Sequence, residues 1–322
     1  MAIKWSESSG TKGLGFLGGG KENCDANPTL GYSLNRAGDI VGRGRDLVTY
    51  NSYPIVCWSE SPACKFLSDF GGPEGQGEAA GINGRREITG TVLVDGFYRA
   101  FKYSHSSYGF VPLGENTSNF GVGINEKGTI AGFALNSDPG KHSAFLYLSD
   151  RDLVFLPDPF GGNSATAMDV SDNSDKVVGW AKDLEDRTRA ILWKRSTTWP
   201  FTDLGDLGGG YAVAESINSS GVIVGTSTIG LSGKTGFKTR GYPSVTPRES
   251  FKNTGAGINA GAGTWHGFIF VDGNMYDIND LLLNKDYFTV AAIWSINDNG
   301  WITGVGQYGN SPDGIGFVAR PV

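Results

Sequence analysis

The sequence predicts an all-β protein, a β-propeller of six blades with four antiparallel strands in each blade. Three observations predict it: the composition, a hairpin unit that recurs six times, and further strand signals after the hairpin in most copies. Glycine supplies 50 of the 322 residues, and aromatic residues supply 12%. This composition is typical of many short strands joined by tight turns, because glycine adopts the positive φ that such turns need.

The recurring unit is a hairpin, and residues 122–132 and 215–225 show it most clearly. An apolar residue ends the first strand, Asn-x-x-Gly forms the turn, and an Ile or Val pair begins the second strand. Asn favours the turn because its side chain bonds to its own backbone, and Gly takes the left-handed conformation. Each copy ends on a glycine, and these closing glycines are Gly42, Gly90, Gly132, Gly179, Gly225 and Gly304.

Two more strand signals follow the hairpin in most copies. They are residues 142–148 and 152–156 in the third copy, and residues 189–193 and 201–204 in the fourth. A unit of four short strands in about 46 residues matches one propeller blade. The repeats therefore predict one domain that spans the whole chain, residues 1–322.

The two ends of the chain predict how the ring closes. The last copy stops after a third-strand signal at residues 316–322, whereas residues 13–20 are similar to the fourth-strand segment at residues 203–210. We therefore expect the N-terminal strand to complete the last blade and close the ring, which removes an exposed sheet edge. The long gap between Gly225 and Gly304 is interpreted as a loop insertion at residues 228–263, with a degenerate seventh blade as the alternative.

The cysteines bear on the cellular compartment. A hairpin turn between Cys57 and Cys64 would place these residues opposite each other, at a spacing that suits a disulfide, and two buried free thiols are the alternative. A disulfide would favour an oxidising compartment and would leave Cys24 unpaired. Residues 1–20 have no apolar core of the signal-peptide kind, which fits either a cytoplasmic protein or a chain whose signal has been removed.

Charge and motifs exclude several kinds of function. The formal net charge is -6, which disfavours a nucleic-acid binder, and no apolar run is long enough for a membrane-spanning helix. The chain has neither a P-loop nor the Gly-x-Ser-x-Gly element of many hydrolases. The acidic run at residues 169–175 lacks the spacing of a calcium loop and is interpreted as a turn. We therefore expect no metal site and no cofactor.

The repeat unit resembles the HAF repeat of predicted bacterial extracellular proteins. The resemblance rests on residues 216–225, on Ala144-Phe145-Leu146, on residues 203–210 and on the closing segment at residues 275–282. It implies an extracellular, cell-surface or periplasmic β-propeller of unassigned activity. The chain departs from the pattern just before the small residue of the third strand, where the family often has His. The residues there are Arg99, Ser143, Arg189 and His266.

A site is expected on one face of the propeller, formed by the loops that join strands two and three and by the connections between blades. Variable loops on a rigid scaffold usually carry binding. The ligand-binding candidates on this loop face are Arg45, Tyr50, Tyr98, Arg99, Arg189 and His266. The catalytic candidates are His142, His266, Arg189 and Tyr308. Solvated loop charges and aromatic packing are the alternative interpretation of any one of these residues.

Three functions remain open from the sequence. The first is a monomeric binding module that takes a glycan or another small ligand at the mouth of the central channel. The second is an enzyme of the lyase, hydrolase or cyclase type that uses Arg, Tyr and His at the same place. The third is a structural or interaction role without a small ligand.

Overall fold

The structure is a computed structural model, and it describes residues 3–6, 10–13, 30–46, 49–61, 63–114, 116–136, 140–150, 152–230, 265–283, 288–308 and 314–321. The chain divides into two compact units. Unit 1 contains residues 1–135 and 145–154, and unit 2 contains residues 136–144 and 155–322.

The first three blades begin after a separate hairpin of two strands. The strands, in chain order, are β1 (Ile3–Ser6), β2 (Gly10–Gly13), β3 (Leu30–Leu34), β4 (Ile40–Arg45), β5 (Ser52–Cys57), β6 (Lys65–Phe66), β7 (Gly77–Ile82), β8 (Ile88–Val94), β9 (Phe97–Ser104), β10 (Ser107–Phe110), β11 (Asn119–Ile124), β12 (Ile130–Leu135), β13 (His142–Tyr147) and β14 (Leu153–Phe155). A 3₁₀ helix at Leu67–Phe70 follows β6.

The last three blades contain the remaining strands. These are β15 (Ala165–Val170), β16 (Lys176–Lys182), β17 (Thr188–Lys194), β18 (Phe201–Asp203), β19 (Gly208–Ile217), β20 (Ile223–Ile229), β21 (Trp265–Val271), β22 (Asn274–Asp277), β23 (Phe288–Ile296), β24 (Ile302–Tyr308) and β25 (Ile315–Ala319). A one-turn helix, α1 (Ile278–Leu281), follows β22.

The sheet order confirms the six-bladed β-propeller. Six antiparallel sheets follow one another along the chain, and each one pairs its strands in sequence order. Five of these sheets have four strands, and the sixth, formed by β23, β24 and β25, has three among the described residues. Of the predicted closing segment, residues 13–20, only Gly13 is among the described residues. It is the last residue of β2, which pairs with β1. N-terminal closure and a single domain therefore stay predictions.

The strand pairing on either side of the long gap favours a loop insertion over a seventh blade. Strand β20 pairs directly with β21, with Thr228 opposite Trp265. The predicted insertion therefore joins the second and third strands of the fifth blade, and nearly all of it lies outside the described residues.

Every blade has a β-bulge near the end of its first strand, a feature that sequence reasoning missed. The register shifts at the same repeat position in all six inner strands, for example between Ala79 and Gly81 in β7. The closing glycine lies opposite each bulge. A Cβ on Gly90 would lie 2.1 Å from the carbonyl oxygen of Glu78, and a Cβ on Gly132 would lie 2.0 Å from that of Phe120. The bulge explains the repeated glycine, because any side chain there would collide with backbone.

The Asn of each predicted turn does more than form the turn. Asn125 accepts hydrogen bonds from the backbone N–H groups of Lys127 and Thr129, as the turn requires. The side-chain amide also reaches the next blade: Asn83 Nδ2 donates to the carbonyl of Asn125 at 2.9 Å. The same bond recurs in unit 2, where Asn218 donates to the carbonyl of Asn297 at 3.2 Å. These buried amides therefore join neighbouring blades at the turn face.

Apolar layers between neighbouring blades form the core of each unit. In unit 1, one cluster packs Val41 and Val56 of the first blade against Ile88 and Phe101 of the second. In unit 2, an equivalent cluster includes Phe268, whose side chain is fully buried. Burial of such side chains contributes about 1.5–3 kcal/mol each and fixes the ends of the strands that carry the loops.

Cys57 and Cys64 are joined by a disulfide, which decides between the two interpretations of these residues. Ile55 pairs with Phe66 and Val56 with Lys65 in the β5–β6 ladder. The next position in this register places Cys57 opposite Cys64, with the two Cα atoms 4.0 Å apart. Cys24 lies outside the described residues.

Candidate functional site

Three of the predicted site residues, Arg99, Arg189 and His266, occupy the same repeat position in the third strands of their blades. Each lies two residues before a buried apolar residue, which is Phe101, Ile191 or Phe268. Arg99 lies over the ring of Phe110 at 5.8 Å, Arg189 bonds to Asp203 at 2.8 Å, and His266 Nδ1 bonds to Asp277 at 2.5 Å. Tyr53 of the first blade contacts Phe66 in the same way, with ring centroids 5.6 Å apart. In these four blades the partner is the fourth-strand residue that pairs with the position two residues further along the third strand.

These contacts give Arg99, Arg189 and His266 a role within their own blades, where they hold the fourth strand against the third. Asp203 also accepts a hydrogen bond from the Gly205 amide, and Asp277 caps α1 by accepting one from the Asn279 amide. Burial acts to raise the pKa of Asp277, but the hydrogen bond with His266 and the cap outweigh it and leave that pKa below its ordinary value. Sequence reasoning could not see these pairs, because the strand pairing creates them.

Tyr98 and His142 occupy the preceding position of the third strand, and their side chains contact the following blade. In unit 1 the ring of Tyr98 packs on Phe120 at 5.3 Å, and Phe120 stacks on Phe133 at 4.7 Å. Tyr308 of the sixth blade contacts Phe288, 4.9 Å between ring centroids, within its own sheet. The predicted catalytic residues Arg189, His266 and Tyr308 thus each contact a residue of their own blade.

His142 contacts a hydroxyl group and an indole ring of the fourth blade in unit 2. Its Nδ1 lies 3.2 Å from Thr166 Oγ1, and its ring lies 5.6 Å from the ring of Trp180. Thr166 and Trp180 are cross-strand partners in the fourth blade. At the equivalent positions the third blade has the apolar pair Phe120 and Phe133, so the two blade contacts differ in chemistry.

Burial of the imidazole lowers the pKa of His142 to about 4, with a further contribution from the positive charge of Lys182. We expect NMR titration to show a neutral His142 ring throughout the range from pH 5 to 8. Replacing Lys182 with Ala should raise this pKa, because the repelling charge is gone, while Lys127→Ala in unit 1 should leave it unchanged. Titration of His142 near its ordinary value of about 6.5 would contradict the placement of the ring.

Arg45 and Tyr50 belong to one loop of the first blade. Arg45 Nε donates to the carbonyl of Tyr50 at 2.7 Å, and its guanidinium lies 5.6 Å from the centre of the Tyr50 ring. Asp46 accepts hydrogen bonds from the Thr49 amide and hydroxyl, and its carbonyl accepts one from the Tyr50 amide. The structure therefore brings these two predicted residues together, and Arg45 supports the loop that presents Tyr50.

An open groove of about 500 Å³ lies beside this loop, between the first and second blades of unit 1. The third strand of the first blade, the connection between the two blades and the end of β8 line it. The lining residues are Tyr53, Pro54, Ser68, Pro73, Glu74, Gly75, Gln76 and Leu93. A groove of this volume is within the range of about 300–1,000 Å³ that small-molecule sites have.

The connection at residues 67–76 shapes the groove. The 3₁₀ helix ends at Phe70 and is capped by Gly71, whose amide donates to the carbonyl of Ser68. Gly75 has a φ of 122°, and a Cβ there would lie 2.8 Å from the carbonyl oxygen of Leu93. Only glycine therefore lets the connection run this close to the second blade, which leaves the side chains of Glu74 and Gln76 exposed.

Sequence reasoning placed binding on these loops but singled out none of the lining residues. The run Gly-Gly-Pro-Glu-Gly-Gln-Gly at residues 71–77 could have indicated them. It differs from the Gly-rich segment at residues 203–210, because Pro, Glu and Gln interrupt the glycines. The corresponding run between the fourth and fifth blades folds on itself, because Asp206 accepts hydrogen bonds from the amides of Gly208 and Gly210. The connection between the first two blades instead presents two polar side chains to solvent.

The part of the chain that the structure describes lacks both a cluster of metal ligands and a membrane-spanning helix. No group of three or more His, Cys, Asp or Glu side chains there is placed to hold a metal ion. None of the helices within those residues is long and apolar enough to cross a membrane.

No protein-family model matches the chain, and no curated protein matches it. Solved structures are similar to parts of it. TolB from Acinetobacter baumannii is 13% identical, with a TM-score of 0.46, over 63% of this chain and 50% of TolB. Dipeptidyl peptidase 4 from Porphyromonas gingivalis is 11% identical, with a TM-score of 0.44, over 83% of this chain and 41% of that one. The chain thus spans half or less of the length of these structures.

Proposed function

We propose that this protein is a binding module that takes a neutral glycan in the groove between its first two blades. The observation that carries the proposal is the lining of the groove, in which a fixed aromatic side chain and several exposed hydrogen-bonding groups stand together. Binding sites for small molecules combine apolar walls with a few well-placed polar groups in this way.

The apolar wall suits the C–H face of a sugar ring. Tyr53 is held edge-on by Phe66, and its hydroxyl lies 3.5 Å from Thr49 Oγ1. A ring fixed before binding loses little conformational freedom when a ligand packs on it. The half-buried Leu93 and the rigid, buried residues Pro54 and Pro73 complete the apolar wall.

The polar rim suits neutral hydroxyl groups. Ser68, Glu74 and Gln76 are exposed at the groove and offer a hydroxyl, a carboxylate and an amide. The eight lining residues include one acidic side chain and no basic one. Since a phosphorylated or carboxylated ligand would need a cationic partner, the lining favours a neutral sugar over an anionic one.

An extracellular or periplasmic location fits the Cys57–Cys64 disulfide, since such bonds persist in oxidising compartments. We also propose that the protein is a monomer and that it is related to the HAF-repeat proteins.

An enzyme at the channel mouth is the weaker candidate. His142 is held neutral beside Thr166 and Trp180, whereas Arg189 and His266 bond to carboxylates of their own blades. A general base works best when its pKa lies near the working pH, and a His142 pKa of about 4 is well below neutrality.

Isothermal titration calorimetry with cello-, xylo- and manno-oligosaccharides, and with oligogalacturonate as the acidic counterpart, tests the proposal. We expect one neutral series to bind, and Gln76→Ala to weaken that binding about tenfold through the lost amide hydrogen bonds, worth about 1.4 kcal/mol. Asn274→Ala, which removes an exposed amide in unit 2, is the matched control and should bind like the wild type. Binding of oligogalacturonate alone, or equal affinity of Gln76→Ala and wild type, would refute the groove assignment.

A further inference from the structure

We infer that Tyr50 forms a second stacking surface next to the groove, so that the ligand is a glycan chain of at least two sugar units rather than a single sugar. This inference rests on the proposed function and extends the same site. Four observations support it: the exposure of Tyr50, its backbone conformation, the contacts that Arg45 and Asp46 make with it, and its place beside Tyr53.

Tyr50 is both exposed and conformationally unusual. Its side chain is 61% exposed, although an aromatic ring in water forgoes the stabilisation that burial would give. Its φ is 60°, in the left-handed region that bulky side chains rarely adopt. Such strain costs on the order of 1–3 kcal/mol and is concentrated at sites of function, so a glycine or asparagine would suit the loop better if the ring had no role.

The loop holds the Tyr50 ring in place. The guanidinium of Arg45 lies against the ring and donates to the Tyr50 carbonyl, while the Asp46 carbonyl accepts the Tyr50 amide hydrogen. The Asp46 carboxylate fixes the adjoining Thr49. The ring is therefore presented to solvent on a hydrogen-bonded support, as a preorganised binding surface requires.

The support connects Tyr50 to the groove. Thr49, the residue just before Tyr50, contacts the hydroxyl of Tyr53 at 3.5 Å, and Tyr53 is a wall of the groove. The two tyrosines thus stand at neighbouring points of one surface in unit 1. A single sugar that fills the groove meets Tyr53, and a second unit linked to it extends towards Tyr50.

Calorimetry with the monosaccharide and the tetrasaccharide of the neutral series that binds tests this inference. We expect the wild type to bind the tetrasaccharide more tightly than the monosaccharide. Tyr50→Gly should weaken tetrasaccharide binding about three- to tenfold, the usual worth of an aromatic contact, with the monosaccharide unaffected. Glycine removes the ring and also relieves the positive φ, so this variant should fold at least as stably as the wild type.

Two further variants separate the ring from other effects. Tyr50→Phe keeps the stacking face and should retain tetrasaccharide affinity, whereas Tyr108→Ala removes a similarly exposed tyrosine from β10 and should change neither affinity. Equal affinity of wild type and Tyr50→Gly for the tetrasaccharide would overturn the inference while the proposed function stands. A lack of binding by every sugar would overturn both.

Discussion

Gly90→Ala is expected to destabilise the protein by about 3 kcal/mol or more, a size reserved for changes that disrupt backbone or core. The added methyl would lie 2.1 Å from the carbonyl oxygen of Glu78 and 2.8 Å from the Cα of Ala79. Both contacts are with backbone, which no side-chain rotation can relieve. The bulge of β7 would have to open, and with it the pairing of the two inner strands of the second blade.

Urea unfolding followed by circular dichroism measures this effect, and the same blade supplies the control. Gly109 lies on the outer strand β10, where an added Cβ meets nothing within 4 Å. We expect Gly109→Ala to unfold within about 0.5 kcal/mol of the wild type, as an ordinary surface change does. Similar stability of the Gly90→Ala and Gly109→Ala variants would contradict the close approach at the bulge.

Asp169→Ser is expected to remove a pH-dependent part of the stability. Asp169 occupies a repeat position that has Ser33, Ser216 and Ser295 in three other blades. Its carboxylate accepts hydrogen bonds from the Ser216 hydroxyl at 2.9 Å and the Ile217 amide at 3.0 Å, in the next blade. Burial of this carboxylate raises its pKa to about 6, more than these hydrogen bonds lower it.

The sign of the effect follows from proton binding. Between about pH 4 and pH 6 the folded protein keeps a proton on Asp169 that the unfolded chain releases. The Asp169 contribution to stability is therefore full below its ordinary pKa and is lost as the pH rises through about 6. The difference between the ordinary value of 3.8 and about 6 amounts to about 3 kcal/mol.

The measurement is the free energy of unfolding of the wild type and Asp169→Ser from pH 4 to pH 8. His142, whose folded pKa is lowered, contributes a slope of opposite sign over much of this range, so the difference between the two proteins is the informative quantity. We expect this difference to shift in favour of Asp169→Ser by up to about 3 kcal/mol between pH 4 and pH 7. Serine retains an acceptor for the Ile217 amide, as Ser33 does for Ile82. A pH-independent difference would show that Asp169 is ionised normally.

The repeat carries most of the information about the fold. The Asn-x-x-Gly turns and the closing glycines predicted the number of blades and the order of strands, and the sheets confirm both. The reason is that each repeat meets the same local demands: a turn that needs Asn and a left-handed residue, and two short apolar strands. Such demands are met by neighbours in the chain and are therefore visible in the sequence.

Other features depended on pairing between distant segments. The partners of Arg189 and His266 became visible only when the third strand was paired with the fourth. The bulge that explains the closing glycines required the register of the first and second strands. The amide of Asn83 gained its second partner, the carbonyl of Asn125, only when two blades packed together.

The sequence by itself determined the architecture of six antiparallel blades, and it placed Cys57 and Cys64 at a spacing that suits a disulfide. The tertiary structure decided which of the candidate side chains contact one another and whether the two cysteines are joined. It joined Arg45 to Tyr50 in one loop, paired Arg189 and His266 with carboxylates of their own blades, and opened the groove between Tyr53 and Gln76. The physical reason is range: a turn is a local property of the chain, whereas a binding surface depends on how side chains from separate strands and loops share space.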